Sequence, residues 1–207
     1  MVEIATPYGP ARAQVETAAD PRGALVLGHG AGGGVGATDL GAAAQAALAG
    51  GLSVALVEQP YRVAGRRSQP PARQLDEAWL AVIEALSAGP IGGLALIVGG
   101  RSAGARVACR TADAAGAVAA LCLAFPVHPP GRADDPEKSR LPELEGVKLP
   151  VLVVQGERDP FGMPPEAPGR TVVRVPGDHS LRAAGPVREA VSRWLAELYP
   201  PLPNGSA

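Results

Sequence analysis

Six short apolar runs punctuate the chain, each bounded by glycine, proline or polar residues: ALVLG (24–28), SVALVE (53–58), LALIVG (94–99), AALCLAF (119–125), VLVVQG (151–156) and TVVRV (171–175). Most lack polar/apolar alternation, which is the pattern of strands buried on both faces of a parallel sheet. Helical spacing fills the gaps. Leu75, Ala78, Trp79, Val82, Ile83 and Leu86 recur at three- and four-residue steps and form one apolar face. Val187, Ala190, Val191, Trp194, Leu195 and Leu198 do the same near the C-terminus, with Gly185-Pro186 as a helix start. Residues 39–49 and 103–112 are alanine-rich and helix-permissive. Strand alternating with helix predicts an α/β fold, a mostly parallel sheet with helices on both faces. One domain is expected over residues 1–199, followed by a disordered tail, PPLPNGSA, at 200–207. In such sheets ligands bind beyond the carboxyl ends of the strands. The loops of interest are therefore 29–38, 58–74, 100–104, 126–147, 157–169 and 176–182.

Composition narrows the function classes. The 207 residues, 46% hydrophobic and 19% charged, can bury a sizeable core. The 19 basic and 20 acidic residues leave a net charge of −1, so neither a nucleic acid nor an anionic membrane is an expected partner. No apolar run approaches the ~20 residues of a membrane span. The opening MVEIATPYGPAR carries no basic-then-apolar leader pattern, and a cytoplasmic location is expected. Cys109 and Cys122 lie among small and apolar neighbours, with no C-x-x-C motif. The three histidines are scattered, without H-E-x-x-H. Two buried free thiols are expected, and no metal or cofactor.

The stretch LVLGHGAGGGVG (25–36) reads in two ways. As Gly28-x-Gly30-x-x-Gly33, with Glu58 ending the next strand, it fits a dinucleotide loop. Glycine is abundant, 27 of 207, so this pattern alone is weak, and Gly-Gly-Gly makes a poor helix start. As His29-Gly30-Ala31-Gly32 it fits a loop whose backbone N–H groups receive an oxyanion. The rest of the chain favours the second reading.

Gly100-x-Ser102-x-Gly104 stands between a predicted strand and a helix-permissive run. A serine on that tight turn is lifted above the sheet edge, and the flanking glycines let strand and helix pass closely. A serine hydroxyl needs a base, and the base needs an acid to hold its tautomer. Asp159 follows the run 151–156 and His179 follows 171–175, in the order serine, acid, histidine. Glu157 is closer to its strand end and stays open as the acid, whereas Asp178, adjacent to the histidine, would need an awkward turn. The N–H groups of Ala31, Gly32 and Ala103 are the candidate oxyanion donors.

The segments LVLGHGAGG, VEQPYRVAGRR, VGGRSAGARVA, LAFPVHPPG, VVQGERDPFG and PGDHSL resemble, in order, those of the α/β-hydrolase superfamily. Within it the chain is similar to a small lidless group related to dienelactone-hydrolase-like proteins and to the hydrolase-like domain of the NSL-complex subunit. The resemblance covers about residues 5–198. It implies a compact α/β-hydrolase fold without a lid domain, Ser102, Asp159 and His179 as triad, and the 29–32 loop as oxyanion hole. It implies no particular substrate, and some relatives serve as scaffolds. The short region before residue 24 implies that the early antiparallel strands are reduced or missing.

Loop 126–147, where larger hydrolases insert a lid, is polar, proline-rich and long enough only for a short excursion. A small soluble ester or thioester is the expected substrate. His29 and His128 are candidate substrate contacts, the latter equally a loop-fixing histidine. Arg62, Arg66, Arg67 and Arg73 lie in a stretch without acidic residues, and with Arg101 they offer a carboxylate- or phosphate-binding mouth. Set against this is a solvated loop paired with nearby acids. A serine hydrolase leads, a hydrolase-fold interaction protein is second and a dinucleotide oxidoreductase third.

Overall fold

The computed structural model describes residues 1–200, so residues 201–207 of the expected tail lie outside it. Eight strands form one sheet in the order β1-β2-β4-β3-β5-β6-β7-β8. They are β1 (Val2–Ile4), β2 (Ala11–Glu16), β3 (Ala24–Gly28), β4 (Ser53–Glu58), β5 (Leu96–Arg101), β6 (Ala119–Leu123), β7 (Val151–Gly156) and β8 (Arg170–Val175). β1 pairs antiparallel with β2 and β2 with β4; every other pairing is parallel. The early antiparallel strands, expected to be reduced or missing, are both present, β1 with three residues and β2 with six. In β2 the residues facing inward are Ala11 and Ala13, between exposed Arg12 and Gln14.

The helices are α1 (Thr38–Ala49), α2 (Pro60–Val63), α3 (Ala72–Ser87), α4 (Ala103–Thr111), α5 (Leu141–Glu145) and α6 (Ala184–Leu198). The six apolar positions expected on α3 are its buried face. α1 and α6 cover one side of the sheet over Leu25, Leu27, Ile97 and Leu152. α3 and α4 cover the other over Val26, Val98, Ala120 and Val153. Burial on both faces is why the parallel strands read as continuous apolar runs.

Two expected boundaries move. The 94–99 run begins its strand at Leu96 and carries it through Gly100 to Arg101. The 119–125 run ends its strand at Leu123. Loop 126–147 holds a 3-10 turn (Pro136–Lys138) and five-residue α5, and no lid. α5 is tied to α4 by a two-pronged Arg106–Glu143 pair at 2.7 and 2.5 Å. Arg110 of α4 holds Asp76 of α3 in the same way, at 2.8 and 2.6 Å.

The chain crosses from β3 out to β4 and back over β3 to β5, so the strand order reverses there. The carboxyl ends of β3 and β5 flank the crevice that a reversal creates. The loop after β3 and the turn after β5 carry the two glycine motifs of the sequence.

Candidate active site

Ser102 joins β5 to α4 with φ 52° and ψ −109°, a left-handed φ that an L-residue holds only when its surroundings impose it. Those surroundings are the glycines. A Cβ on Gly104 would stand 2.4 Å from the Gly28 carbonyl oxygen, and one on Gly100 2.6 Å from the same atom. β3, β5 and α4 therefore meet at a distance that admits no side chain at 100 or 104. The turn is closed by a Ser102 N–H···O=C Leu123 bond of 2.9 Å.

His179 reaches this serine from beyond β8. Its Nε2 accepts from Ser102 Oγ at 2.9 Å, and its Nδ1–H donates to Asp159 Oδ2 at 2.8 Å. The neutral tautomer that satisfies both bonds carries its proton on Nδ1. The Asp159 carboxylate is fully buried. Its Oδ1 accepts from Phe161 N–H at 2.9 Å, and its Oδ2 accepts also from Gln155 Nε2 at 2.8 Å. Glu157 and Asp178 are both exposed, and Asp178 Oδ1 accepts from Ser180 N–H at 2.8 Å.

Two residues at this site carried no signal at the level of sequence. Gln155, on β7 and fully buried, also donates to the carbonyls of Phe125 (3.1 Å) and Gly162 (2.9 Å). Phe161 stacks on the His179 ring with centroids 4.0 Å apart.

The loop after β3 lies against the serine, since a Cβ on Gly30 would be 3.5 Å from Ser102 Cβ. Among the described residues, no acceptor is bonded to the N–H of Ala31, Gly32 or Ala103. Tyr61 Oη–H donates to the Ala31 carbonyl at 3.1 Å, fixing the peptide plane next to those donors.

The four candidate substrate contacts stand differently. His29 is 3% exposed and both ring nitrogens are used: Nδ1–H donates to Gly30 O at 2.8 Å and Nε2 accepts from Gln59 N–H at 3.0 Å. It is a buried clasp between the β3 and β4 loops, and burial pushes its pKa below the ordinary histidine value. Arg101 is also turned inward. Its Nε contacts Asp39 Oδ2 at 2.8 Å and its Nη2 donates to the His179 carbonyl at 2.8 Å, which commits the guanidinium to protein partners. Burial pushes the Asp39 carboxyl upward, against the pull of Arg101. His128 props the acid loop: its N–H donates to Phe161 O at 3.1 Å and its ring packs against Gly162. Arg62 donates to the Arg66 carbonyl at 3.2 Å. Arg73, expected in the loop, lies in the first turn of α3 and pairs with Glu77 of the same helix at 2.6 Å.

The dinucleotide reading fails on geometry. α1 begins at Thr38, ten residues past Gly28, so no helix N-terminus opens at the glycines. Gly28 is packed against Gly104 and Trp79 instead. Among the described residues, no three His, Cys, Asp or Glu side chains gather as metal ligands would, and no helix is long and apolar enough to cross a membrane. Cys109 and Cys122 are buried and free, with Sγ atoms 3.4 Å apart. That contact and burial push the Cys109 thiol well up.

A family described as "Alpha/beta hydrolase domain" matches residues 21–184. No curated protein matches the chain. Among solved structures it is similar to XC6422 from Xanthomonas campestris, described as an a/b serine hydrolase without lid, at 22% identity over 98% of this chain and 95% of that one, TM-score 0.71. Est1E from Butyrivibrio proteoclasticus with ferulic acid bound is 16% identical over 95% and 98% of the two chains, TM-score 0.73. Dienelactone hydrolase from Anabaena variabilis is 16% identical over 95% and 94%, TM-score 0.69. At these identities the likeness is one of fold. The similarity to the NSL-complex subunit rests on the sequence segments alone.

Proposed function

The chain belongs to the alpha/beta hydrolase domain family, and from that membership we propose that it is a serine esterase or thioesterase acting on a small soluble substrate. The observation that carries the reading is the His179 ring, bonded at one nitrogen to Ser102 Oγ and at the other to Asp159 Oδ2. Ser102 Oγ attacks the acyl carbon while His179 Nε2 takes its proton, and Asp159 stabilises the imidazolium. The oxyanion of the tetrahedral intermediate is received by the N–H groups of Ala31 or Gly32 and of Ala103, each such donor being worth about 3 kcal/mol of barrier. Collapse breaks the bond to the leaving alkoxide or thiolate, which takes the proton from His179, and leaves an acyl-enzyme on Ser102. Water then attacks the acyl carbon with His179 again as base, releasing the acid and restoring the serine.

The substrate class rests on two supports. A 126–147 loop with only short helical turns argues against the interfacial lid of a lipase. Fold neighbours described as Est1E with ferulic acid bound, as an esterase of Pyrobaculum calidifontis and as a dienelactone hydrolase make carboxylic esters and lactones the first compounds to try. A cytoplasmic location is part of the proposal, since two free thiols are the ordinary state there.

The test is labelling by a fluorophosphonate probe of the wild-type protein, Ser102→Ala and His179→Ala. Labelling lost in both variants is expected. A well-folded wild type that takes no label would replace this reading with a non-catalytic interaction protein.

A further inference from the structure

Arg101 precedes Ser102 and is the residue on which two loops of the site converge. Its side chain is 17% exposed, and that of Asp39, in the first turn of α1, is wholly buried. Three groups surround the guanidinium. Nε faces Asp39 Oδ2, Nη2 donates to the His179 carbonyl, and Nη1 lies where a Cβ on Gly30 would approach within 2.8 Å. The loop that carries the candidate oxyanion donors runs from His29 to the start of α1. His29 and Tyr61 clasp its beginning, and Asp39 anchors its end. In its middle, Cβ atoms added to Gly32, Gly33, Gly34 and Gly36 would meet nothing within 4 Å.

Resting on the serine-hydrolase reading, we infer that Arg101, held by Asp39, is a positioning residue that sets the His179 loop and the 29–37 loop in one register over Ser102. A guanidinium suits this task because its planar fork serves several acceptors at fixed angles. The carboxylate partner has a second consequence. During acylation the His179 ring becomes positive, and an unpaired cation beneath it would oppose that change. Paired with Asp39, the guanidinium holds the His179 backbone without presenting a net charge. Other charged residues at the His179 ring and its loop are Asp159, on Nδ1, Asp178, which is turned to Ser180, Arg182, whose charge acts on Asp178, and Glu157 and Arg158, joined to the loop through their backbone N–H groups.

The inference is tested with Arg101→Met, Asp39→Asn and the double variant, which removes both charges together and so keeps the buried pair from being half broken. Fluorophosphonate inactivation kinetics and the downfield proton resonance of His179 Nδ1–H are measured on each, with a melting curve to establish folding. In Arg101→Met and the double variant, a fall of roughly 10- to 100-fold in the inactivation rate constant is expected, with little change in probe affinity. The Nδ1–H resonance should broaden or shift in the same proteins. The double variant should be no slower than Arg101→Met, because the two residues act as one unit. A folded Arg101→Met or double variant that reacts at the wild-type rate with an unmoved resonance overturns the inference. If the wild type takes no label but its resonance is disturbed by Arg101→Met, the hydrolase reading fails and the positioning role of Arg101 stands.

Discussion

Gly156 stands so close to Asp178 that a Cβ on it would lie 2.4 Å from the Asp178 carbonyl oxygen. This contact explains how the base reaches the serine. Ser102 follows β5 and His179 follows β8, three strand spacings away in the sheet, or roughly 14 Å at about 4.8 Å each. The loop after β8 must therefore lean across the end of β7. It is zipped there by Glu157 N–H to Val175 O at 3.0 Å and Arg158 N–H to Gly177 O at 3.0 Å. Gly156→Ala removes no chemical group from the site yet should push this loop away. Expected outcomes are a loss of about 1–3 kcal/mol of stability and a fall of at least about tenfold in probe labelling. Urea denaturation and labelling rates on the same sample check both.

The three acidic residues near the histidine make separable predictions. Only Asp159 contacts the ring, so Asp159→Asn should lower turnover of a short-chain ester by roughly 10³- to 10⁴-fold, through loss of the tautomer that leaves Nε2 free. Glu157→Gln and Asp178→Asn alter exposed side chains and should stay within about twofold of wild type. A loss on Glu157→Gln equal to that on Asp159→Asn would reassign the acid.

Gln155 holds the acid in place and closes two carbonyls as well. In Gln155→Leu the Phe125 and Gly162 carbonyls lose their donor, and Asp159 Oδ2 keeps only the His179 bond. Leaving a buried polar group unpaired costs about 1–3 kcal/mol, so a lower denaturation midpoint is expected together with slower labelling. A variant as stable and as fast as wild type would show that Gln155 does not hold the acid.

The parts of this site that were legible in sequence are those whose reason is local. Ser102 could be placed because the backbone at 100 and 104 must be bare, and α3 because its six apolar residues share one face. β2 escaped notice because its inward residues, Ala11 and Ala13, are too small to make alternation visible. Gln155 ends an apolar run and Phe161 sits in a proline-glycine loop, so neither stands out by periodicity or charge. In the sequence Arg101 stands as a cation at the site mouth. Its partner Asp39 is 62 positions away and comes beside it only because β3 and β5 are neighbours. Strand order, which no local pattern encodes, decides that contact.

His29 gives the folded protein an acid sensitivity of its own. In the folded state its Nε2 accepts the Gln59 N–H, so protonating that nitrogen would set two donors against each other in a buried site. Burial accordingly lowers its pKa, whereas in the unfolded chain it titrates near 6.5. Between the two values the unfolded chain binds a proton that the native protein does not. The stability contributed by neutral His29 is thus fully present above about pH 6.5 and is lost as pH falls through the lowered folded value, with a slope of at most about 1.4 kcal/mol per pH unit. Asp39, whose carboxyl is pushed upward, contributes with the opposite sign. His29→Gln keeps an acceptor for Gln59 and removes the titration, while every other titrating group is shared with the wild type. Denaturation midpoints followed from pH 8 to pH 5 should therefore diverge below about pH 6.5, the wild type losing stability faster than the variant. Parallel curves would mean that His29 is protonated in the folded protein as readily as in the unfolded chain, and that the clasp to Gln59 does not depend on its neutral form.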